Sequence, residues 1–387
     1  METTPNSALT LFADPQKGRF VKRLNRFAIE CMIDGIIVRA HLPNPGRLWE
    51  LLLPGRTVYL TRQKGVGNRK TEYTAVAVER DETPIVLHTH RTNDAVKWLI
   101  EKRALHGLED CEIVKPEATV GHSRFDFLLT RNGKPLLLEV KSCTLFGNTI
   151  AMFPDAITAR GRKHLRELAD LSRGGTETAV AFLCHWKRAR WFLPDYHTDF
   201  DFARTVLESR NHVLMKPIAV EWSDTLSLSP QTRELFIPWD LIESEARDRG
   251  SYLIMLHLPS DMSVTVGKRG MVHFQKGYYI YVGSARKNLT QRVQRHLRRR
   301  KSFHWHIDYL REHADRCTAL PVRSSTSLEH DLAAAVSAVA DWSVPGFGSS
   351  DCSCDSHLFG MLQNPIENKR FIDLLLEFRI NRLEKQL

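Results

Sequence analysis

An Asn-Gly dipeptide constrains the fold of this chain more than any other feature of its sequence. Asn132 and Gly133 separate two runs of strand-forming residues, 124–130 and 135–143, and Asn-Gly in such a position is the strongest short-range signal for a β-hairpin. The chain around the hairpin adds a helical pattern, a strand-like run, a second helical pattern and a buried strand, at residues 94–105, 112–120, 157–171 and 178–185. The order helix, three strands, helix, strand predicts a mixed α/β domain.

The two strands of this hairpin carry the first candidate catalytic residues. Asp126 lies on one strand, and Glu139 and Lys141 lie two residues apart on the other, so strand alternation places Glu139 and Lys141 on one face. Two carboxylates can hold Mg²⁺ or Mn²⁺ through oxygen ligands, and Lys141 can position the nucleophile or stabilise charge on a phosphodiester. Glu117 is a candidate third acid. The alternative is a cross-strand ion pair on a half-exposed hairpin.

The net charge of +10 is concentrated in one short part of the 387-residue chain. Residues 251–300 contain ten Lys and Arg against one acid, whereas residues 1–250 carry an excess of four cations and residues 301–387 an excess of three acids. Such a patch attracts phosphate through counterion release, which indicates a nucleic-acid partner. A solvated helix face is the alternative interpretation.

Short strands separated by turn residues fill residues 18–90. Five alternating or apolar runs are bounded by Gly, Pro and Asn, or by the polar stretch 64–70, and they lie at residues 28–32, 36–40, 57–60, 73–78 and 85–88. Several short strands joined in this way predict a small barrel of the oligonucleotide/oligosaccharide-binding (OB) type.

Several motifs in the first 235 residues, taken in order, resemble the sugar fermentation stimulation protein A (SfsA) family. They are Arg26-Phe27, residues 40–47, residues 123–129, residues 139–142 and residues 153–168. The resemblance covers about residues 10–235. It implies an N-terminal OB-like barrel and a core of the PD-(D/E)xK nuclease type, with DNA binding and with cleavage of DNA or RNA as a proposed activity.

Polar residues within these motifs are candidate contacts to nucleic acid. They flank the turn at residues 43–46 or lie at the start of the helix after Pro154, and they are His41, Arg47, Arg160, Lys163 and His164. A helix N-terminus favours phosphate, although His41 and Arg47 are equally expected to be polar loop groups. Asp155 is interpreted either as functional or as a helix-start residue near the positive end of the helix dipole.

Two tripeptides after residue 249 define a second candidate site. Gly250-Ser251-Tyr252 begins one strand and Tyr281-Val282-Gly283 lies in another. A basic helical pattern follows at residues 289–301, and a further helix is expected at residues 328–340. The set resembles the GIY-YIG nuclease superfamily, with a departure at the middle residue of the first tripeptide. The wider match, over about residues 250–360, resembles an uncharacterised GIY-YIG-like family of archaea and bacteria.

This second resemblance implies a role for each candidate residue. Tyr252 or Tyr281 would orient or deprotonate the attacking water, and Arg292 would stabilise charge on the phosphate. Glu329 would ligate a single divalent metal, and His296 lies four residues from Arg292 on the same helix face. The other cations of this region are expected to contact nucleic acid, and they are Arg286, Lys287, Arg295, Arg298 and Arg299.

Three soft ligands within six residues form a separate cluster. Cys352, Cys354 and His357 can bind Zn²⁺ if a fourth ligand joins them, and the candidates for it are His304, His306 and Cys317. The usual two-residue spacing between cysteines is missing, so a tight loop with reduced thiols is the alternative. Seven cysteines in a chain of this length do not predict a disulfide framework.

The expected fold class is therefore multi-domain α/β. We expect an OB-like β-barrel over residues 1–90, a PD-(D/E)xK-like mixed α/β core over 91–240, and a GIY-YIG-like α+β domain over 250–387. No apolar run is long enough for a membrane span, and residues 1–5 lack the features of a signal peptide, which indicates a cytoplasmic protein.

The expected function is metal-dependent cleavage of DNA or RNA with Mg²⁺ or Mn²⁺. The main alternative is a non-catalytic DNA-binding or regulatory protein that affects the expression of sugar-metabolism genes. A sugar-metabolism enzyme is a third class, but no residues here form a pattern typical of a carbohydrate site.

Overall fold

The computed structural model describes residues 8–62, 71–121, 123–349, 352 and 354–387. The expected loop at 64–70 and residues 1–5 lie outside this part of the chain. The chain forms two compact units: the first contains the residues up to Asp195 together with Asp201–Trp239, and the second contains Tyr196–Phe200 together with Asp240–Gln386. The expected domain boundaries at residue 90 and between residues 240 and 250 stay predictions.

The N-terminal part of the first unit is a barrel. Its elements, with the short strand that precedes them, are β1 (Leu9–Thr10), β2 (Gln16–Asn25), β3 (Ala28–Ile33), β4 (Ile36–His41), β5 (Thr57–Arg62), β6 (Tyr73–Arg80) and β7 (Thr83–Val86). The sheet order is β4-β3-β2-β5-β6-β7, and β4 also pairs with β6, so strands β2 to β6 close on themselves. The expected OB-like barrel is confirmed. The sequence did not predict β2, because most of its side chains are exposed and it carries little apolar pattern.

The rest of the first unit is a mixed α/β layer. Its elements are α1 (Thr92–Glu101), β8 (Cys111–Val120), β9 (Ser123–Arg131), β10 (Lys134–Cys143), β11 (Leu145–Phe146), β12 (Ile150–Phe153), α2 (Ala159–Arg173), β13 (Glu177–Cys184), β14 (Trp191–Pro194), α3 (Phe200–Ser209), β15 (Leu214–Trp222) and β16 (Ser227–Glu234). Seven strands form one sheet in the order β1-β16-β15-β13-β10-β9-β8, and β11-β12-β14 form a small second sheet. Strands β10, β13 and β15 are parallel.

The predicted hairpin joins β9 and β10. Asn132 and Gly133 both have positive φ, at 50° and 77°, as a two-residue turn of this kind requires, and Lys134 pairs with Arg131. Helix α2 then connects β10 to the parallel strand β13, which places α2 against the sheet beside the hairpin. The order of elements therefore agrees with the sequence prediction, although β11 and β12 are additional.

The central strands of this sheet are buried on both faces. Leu137 and Phe182 belong to a core that includes Leu165 of α2 and barrel residues such as Ile29. Leu138 lies in a second core on the opposite face, with α1. Two-sided burial is typical of parallel strands covered by helices. The barrel and the α/β layer thus share one hydrophobic core, which fixes the barrel turns beside the hairpin.

The second unit is an α+β fold. Its elements are α4 (Trp239–Glu245), β17 (Gly250–Leu258), β18 (Met262–Thr265), β19 (Met271–Phe274), β20 (Gly277–Ala285), α5 (Leu289–Leu297), α6 (His306–His313), β21 (Arg316–Arg323), α7 (Glu329–Val339), β22 (Trp342–Ser343), β23 (Leu358–Met361) and α8 (Lys369–Arg379). The order β21-β17-β20-β23-β22 makes one antiparallel sheet, and β18 pairs with β19. Within the described part of the chain, four short 3₁₀ helices lie at Thr89–Arg91, Gly267–Arg269, Pro365–Glu367 and Asn381–Gln386.

The basic helix ends earlier than the sequence predicts. Helix α5 stops at Leu297, so residues 298–301 lie outside it. Lys301 turns inward, and its Nζ lies 2.9 Å from Oδ1 of the fully buried Asp308. Arg295 also donates to Asp308. The prediction of a helix extending to Lys301 was wrong because a buried ion pair determines where these cations point.

Five residues from the middle of the chain belong to the second unit. Arg323 donates through Nη1 to the carbonyl oxygens of Tyr196 and His197, and its guanidinium lies 4.6 Å from the ring centroid of Phe200. His197 accepts a hydrogen bond at Nδ1 from the amide of Arg323 and donates through Nε2 to the carbonyl of Arg379. Nothing in the sequence pattern predicted this arrangement.

Among the described residues, no helix combines the length and the apolar character needed to cross a lipid bilayer.

Candidate active site

A pocket of about 500 Å³ opens beside the β9–β10 hairpin in the first unit. Its wall combines the predicted acids and lysine with residues of a barrel turn and of the start of α2. Among the lining residues are Arg26, Asn44, Pro45, Gly46, Asn93, Glu117, Asp126, Glu139, Lys141, Asp155 and Arg160. The structure therefore brings Asp126, Glu139 and Lys141 to one cavity, as the hairpin predicted.

Asp126 occupies the point where β9 and β10 separate. The strands pair up to Leu138 and Phe127, and beyond them the amide of Val140 donates to Asp126 Oδ2 at 2.7 Å. Asn93, on α1, donates to Asp126 Oδ1 at 2.7 Å. The Asp126 carboxylate thus takes the place of a backbone hydrogen bond between the two strands. The amide of Val140 and the side chain of Asn93 fix one oxygen each. Asn93 was not among the predicted site residues, because its place on a distant helix leaves no local signal.

Glu139 is buried, and one of its two carboxylate oxygens contacts two side chains. Lys141 Nζ contacts Glu139 Oε1, and His164 Nδ1 lies 2.6 Å from the same atom. The other oxygen, Oε2, is buried without a hydrogen-bond partner in the described part of the chain. An unpaired buried carboxylate oxygen is costly, and a divalent cation in the pocket would satisfy it.

The two carboxylates have opposite shifts in pKa. Burial, followed by the negative charge of Glu139, raises the pKa of Asp126 above its usual value. Burial also opposes ionisation of Glu139, but the His164 hydrogen bond and the charge of Lys141 outweigh it and lower the pKa of Glu139. A pair of acids whose environments separate their pKa values is typical of a catalytic site.

The other two acids of this pocket, Glu117 and Asp155, differ in their exposure. Glu117 is exposed, has a positive φ of 55°, and lies 3.6 Å from Arg124. Asp155 is buried and accepts hydrogen bonds from the amide of Leu48 at 2.6 Å and from Arg47 at 3.3 Å. Burial raises the pKa of Asp155 to about 7. Asp155 joins the barrel turn to the α/β layer.

The helix-start interpretation of Asp155 was wrong. Helix α2 begins at Ala159, and its N-cap is Thr158, whose Oγ1 accepts from the amide of Gly161 at 3.1 Å.

The predicted nucleic-acid contacts of this unit have varied environments. Arg47 is paired with Asp155 and lies 3.6 Å from Asp195. His164 is buried against Glu139, and His41 Nδ1 lies 3.1 Å from the carbonyl of Phe27. Exposed side chains are found at two of these positions, Arg160 and Lys163. Contact with nucleic acid stays a prediction for all five residues.

A second pocket, of about 750 Å³, lies in the second unit. It is lined by residues of the strand β20, the loop that follows it and the start of α7, among them Ser284, Arg286, Lys287, Arg292, Glu329, His330, Cys352 and His357. Arg292 donates to the carbonyl of Ser284 at 2.8 Å, and the hydroxyl of Ser284 donates to Glu329 Oε2. Arg292 and Glu329 thus meet in one cavity, as the second resemblance implied.

Tyr252 and Gly283 face each other across strands β17 and β20. A Cβ on residue 283 would lie 2.5 Å from the Tyr252 hydroxyl, so the close approach of the ring explains the glycine that ends the second tripeptide. The Tyr252 hydroxyl is 3.0 Å from His296 Nε2, and burial raises the pKa of Tyr252. Tyr281 pairs with Ile254 on the same two strands, and its ring centroid lies 6.1 Å from that of His296.

The burial of His296 is expected to make the stability of the second unit dependent on pH. Burial, followed by the charge of Lys301, lowers the pKa of His296 to about 4, whereas an unfolded histidine titrates near 6.5. The native state therefore binds fewer protons than the unfolded state between these values, and the free energy of unfolding falls as the pH falls. We expect a loss of about 1.5 kcal/mol between pH 6.5 and pH 5.

This pH dependence can be measured by thermal unfolding of the full chain at several pH values. The variant His296→Gln is expected to lose part of the decrease below pH 6.5. His313→Gln is the matched control, because that histidine is exposed on α6. Equal pH slopes for the wild type and His296→Gln would contradict the expectation.

Some cations of the basic region, residues 286–301, are paired with an acid of the second unit. Arg295 and Lys301 are both paired with Asp308, and Arg299 donates through Nε to the carbonyl of Glu312 at 2.9 Å. Arg286 and Lys287 line the second pocket, and Arg298 is exposed at the end of α5. Nucleic-acid contact stays a prediction for these cations; Arg286, Lys287, Arg298 and Arg299 are exposed, whereas Arg295 is only partly exposed and is paired.

The soft ligands of the second unit are brought together with an unexpected partner. Cys352, Cys354 and His357 form one group with His330. The three candidates that the sequence suggested for the fourth position, His304, His306 and Cys317, are not part of this group. Residues 350, 351 and 353, which flank the cysteines, lie outside the described residues.

Three family models match successive parts of the chain. Residues 21–87 match the SfsA N-terminal OB domain, and residues 90–225 match the sugar fermentation stimulation protein RE domain. Residues 251–379 match a domain of unknown function, DUF123, which is GIY-YIG-like.

Individual relatives match the first unit. The sugar fermentation stimulation protein homolog of Methanothermobacter thermautotrophicus is 35% identical over 232 residues, which are 59% of this chain and 96% of that protein. The homolog from Methanosphaera stadtmanae is 42% identical over 197 residues, or 50% of this chain and 81% of that protein. The structure of Pyrococcus furiosus SfsA in complex with Ca²⁺ is 30% identical, covers 60% of this chain and 99% of that one, and superposes with a TM-score of 0.55.

Proposed function

The chain belongs to the sugar fermentation stimulation protein family over residues 21–225, and from this premise we propose that its first unit is a metal-dependent nuclease. The proposed reaction is cleavage of phosphodiester bonds in DNA or RNA. The observation that carries the proposal is the buried Glu139, which shares a pocket with Asp126 and Lys141 and has one unpaired oxygen.

The acids of the first pocket fit a divalent cation. Asp126 and Glu139 would hold Mg²⁺ or Mn²⁺, since both ions prefer oxygen ligands. When bound, such an ion lowers the pKa of a water ligand and neutralises charge on phosphate. The structure of the Pyrococcus furiosus relative in complex with Ca²⁺ supports a divalent-cation site in a protein of this fold.

The residues around the two acids have separate tasks in this proposal. Asn93 holds the Asp126 carboxylate, and His164 holds Glu139 through the oxygen that it shares with Lys141. These contacts leave Glu139 Oε2 as the free ligand atom. The Lys141 ammonium lines the pocket, where it would stabilise the negative charge that builds on the phosphate in the transition state.

The barrel side of the same pocket would bind the nucleic-acid backbone. Arg26 and the turn Asn44, Pro45 and Gly46 line the same cavity as the acids, and Arg160 of α2 is an exposed lining residue. An arginine suits phosphate because its guanidinium donates two parallel hydrogen bonds. In the second unit, Arg286, Lys287 and Arg292 would add phosphate contacts in their own pocket.

The direct test is cleavage of labelled DNA and RNA with Mg²⁺ or Mn²⁺, compared with EDTA. We expect cleavage only with the metal, and we expect Lys141→Met to slow it by roughly 100-fold, because a charge that stabilises the transition state is lost. Lys134→Met is the matched control, since Lys134 is exposed at the start of the same strand. It should cleave at the wild-type rate.

Two results would overturn the proposal. Cleavage by Lys141→Met at the wild-type rate would place the activity outside the first pocket. No metal-dependent cleavage by the wild type, with salt-sensitive DNA binding retained, would favour the non-catalytic DNA-binding alternative.

A further inference from the structure

Four soft ligands converge in the second unit, at the start of α7 and in the chain before β23. The ligand atoms of His330, Cys352, Cys354 and His357 all lie within 4.8 Å of one another. His330 Nδ1 is 3.2 Å from Cys354 Sγ, and Cys352 Sγ is 3.4 Å from His357 Nε2. We propose that these four side chains bind one Zn²⁺ ion.

The geometry and the donor set both suit zinc. A tetrahedral site with Zn–S bonds of about 2.3 Å and Zn–N bonds of about 2.0 Å separates neighbouring N and S atoms by about 3.5 Å, close to the two distances found. Two thiolates and two neutral imidazoles balance the charge of the ion. Thiolate ligands select zinc over Mg²⁺ or Mn²⁺, which prefer oxygen. Both cysteines are free thiols.

The burial of His357 provides a second observation. This side chain is 2% exposed, and its Nδ1 has no hydrogen-bond partner in the described part of the chain. Nδ1 lies 3.4 Å from Glu329 Oε1, while the other ring nitrogen, Nε2, faces Cys352. A zinc-bound histidine typically directs its second nitrogen toward a carboxylate, which fixes its tautomer and orientation. Glu329 is therefore a positioning residue for His357.

The zinc ion would be structural. All four positions are filled by protein ligands, as in sites that stabilise a fold, whereas a catalytic zinc keeps one position open. The ion would connect the first turn of α7 to the loop that leads into β23, at the edge of the pocket that Arg292 also lines. This inference concerns the second unit alone and does not depend on the nuclease proposed for the first.

The experiment measures zinc in the full chain, purified under reducing conditions, by mass spectrometry of the metal. We expect about one zinc per chain for the wild type and for Cys317→Ser, because Cys317 is a thiol of the same unit outside the group. Cys352→Ser/Cys354→Ser is expected to contain none, since a four-ligand site rarely survives the loss of two. Glu139→Gln is expected to keep its zinc, which separates this test from that of the nuclease.

Thiol protection and zinc affinity keep the proposal testable if the double variant does not fold. In the wild type, Cys352 and Cys354 should resist alkylation until a chelator is added, as read by peptide mass mapping. Glu329→Gln should keep full zinc occupancy at saturating zinc but bind it 10- to 100-fold more weakly in competition with a chromophoric chelator. A wild-type chain without zinc whose two thiols are freely alkylated would overturn the proposal, as would a folded double variant that keeps its zinc.

Discussion

Glu139→Gln is expected to lower metal-dependent cleavage by roughly 100- to 1,000-fold. Glutamine preserves the volume of the side chain but removes its charge and replaces one carboxylate oxygen with an NH2 donor. Lys141 and His164 both contact Glu139 Oε1, so an amide that keeps its oxygen there directs its NH2 group at the metal position, and the reverse orientation places NH2 against two donors. The divalent ion loses a carboxylate ligand in both cases.

The matched control for this variant is Glu112→Gln. Glu112 is an exposed acid on β8, in the same sheet as β10, and its removal should leave cleavage unchanged. Binding of Mn²⁺, followed by its paramagnetic resonance, should weaken in Glu139→Gln and not in Glu112→Gln. Full cleavage by Glu139→Gln would contradict the assignment of this site.

Asp308→Ala is expected to destabilise the second unit strongly, by about 3–5 kcal/mol. The Asp308 carboxylate is fully buried and accepts hydrogen bonds from Arg295, from Lys301 and from the amides of His304 and Trp305. Although burial opposes its ionisation, these donors hold the pKa of Asp308 at about 2. Alanine would leave the buried ammonium of Lys301 without its counter-charge.

The measurement is thermal or urea unfolding of the full chain near neutral pH. Asp373→Ala serves as the control, because Asp373 pairs with Lys369 on the exposed surface of α8, where such a pair contributes about 0.3–0.5 kcal/mol. A double variant, Lys301→Met/Asp308→Leu, should recover part of the lost stability, since it removes the buried ammonium together with the carboxylate. Arg295 and the amides of His304 and Trp305 still lose their acceptor in it. Equal losses for Asp308→Ala and Asp373→Ala would show that the buried cluster contributes little.

The hairpin and its acids could be predicted from sequence because their signals are local. Asn132-Gly133 determines the turn and therefore the register, and period-2 alternation then places Glu139 beside Lys141. Asp126 follows from the pairing of the two strands. Each of these inferences uses residues less than twenty positions apart, where backbone geometry alone limits the possible arrangements.

The partners of these acids could not be predicted because they come from distant elements. His164 reaches Glu139 from α2, and Asn93 reaches Asp126 from α1, and neither position follows a spacing rule. His330 joins the two cysteines only because α7 and the chain before β23 lie close together. Its one sequence signal was its place beside Glu329. Only tertiary packing specifies such contacts.

The second unit consists of two separate segments, Tyr196–Phe200 and Asp240–Gln386. This affects how the chain is synthesised and how the unit could be transferred by gene fusion. On the ribosome, Tyr196–Phe200 is synthesised before the whole of Asp201–Trp239, so the second unit cannot be completed until its remaining residues have emerged. Arg323, which donates to the carbonyl oxygens of Tyr196 and His197, is made only after that stretch. Gene fusion at a single junction near residue 240 would transfer the second unit without these five residues. A fusion that is to complete the second unit therefore has to carry residues 196–200 as well as residues 240–386.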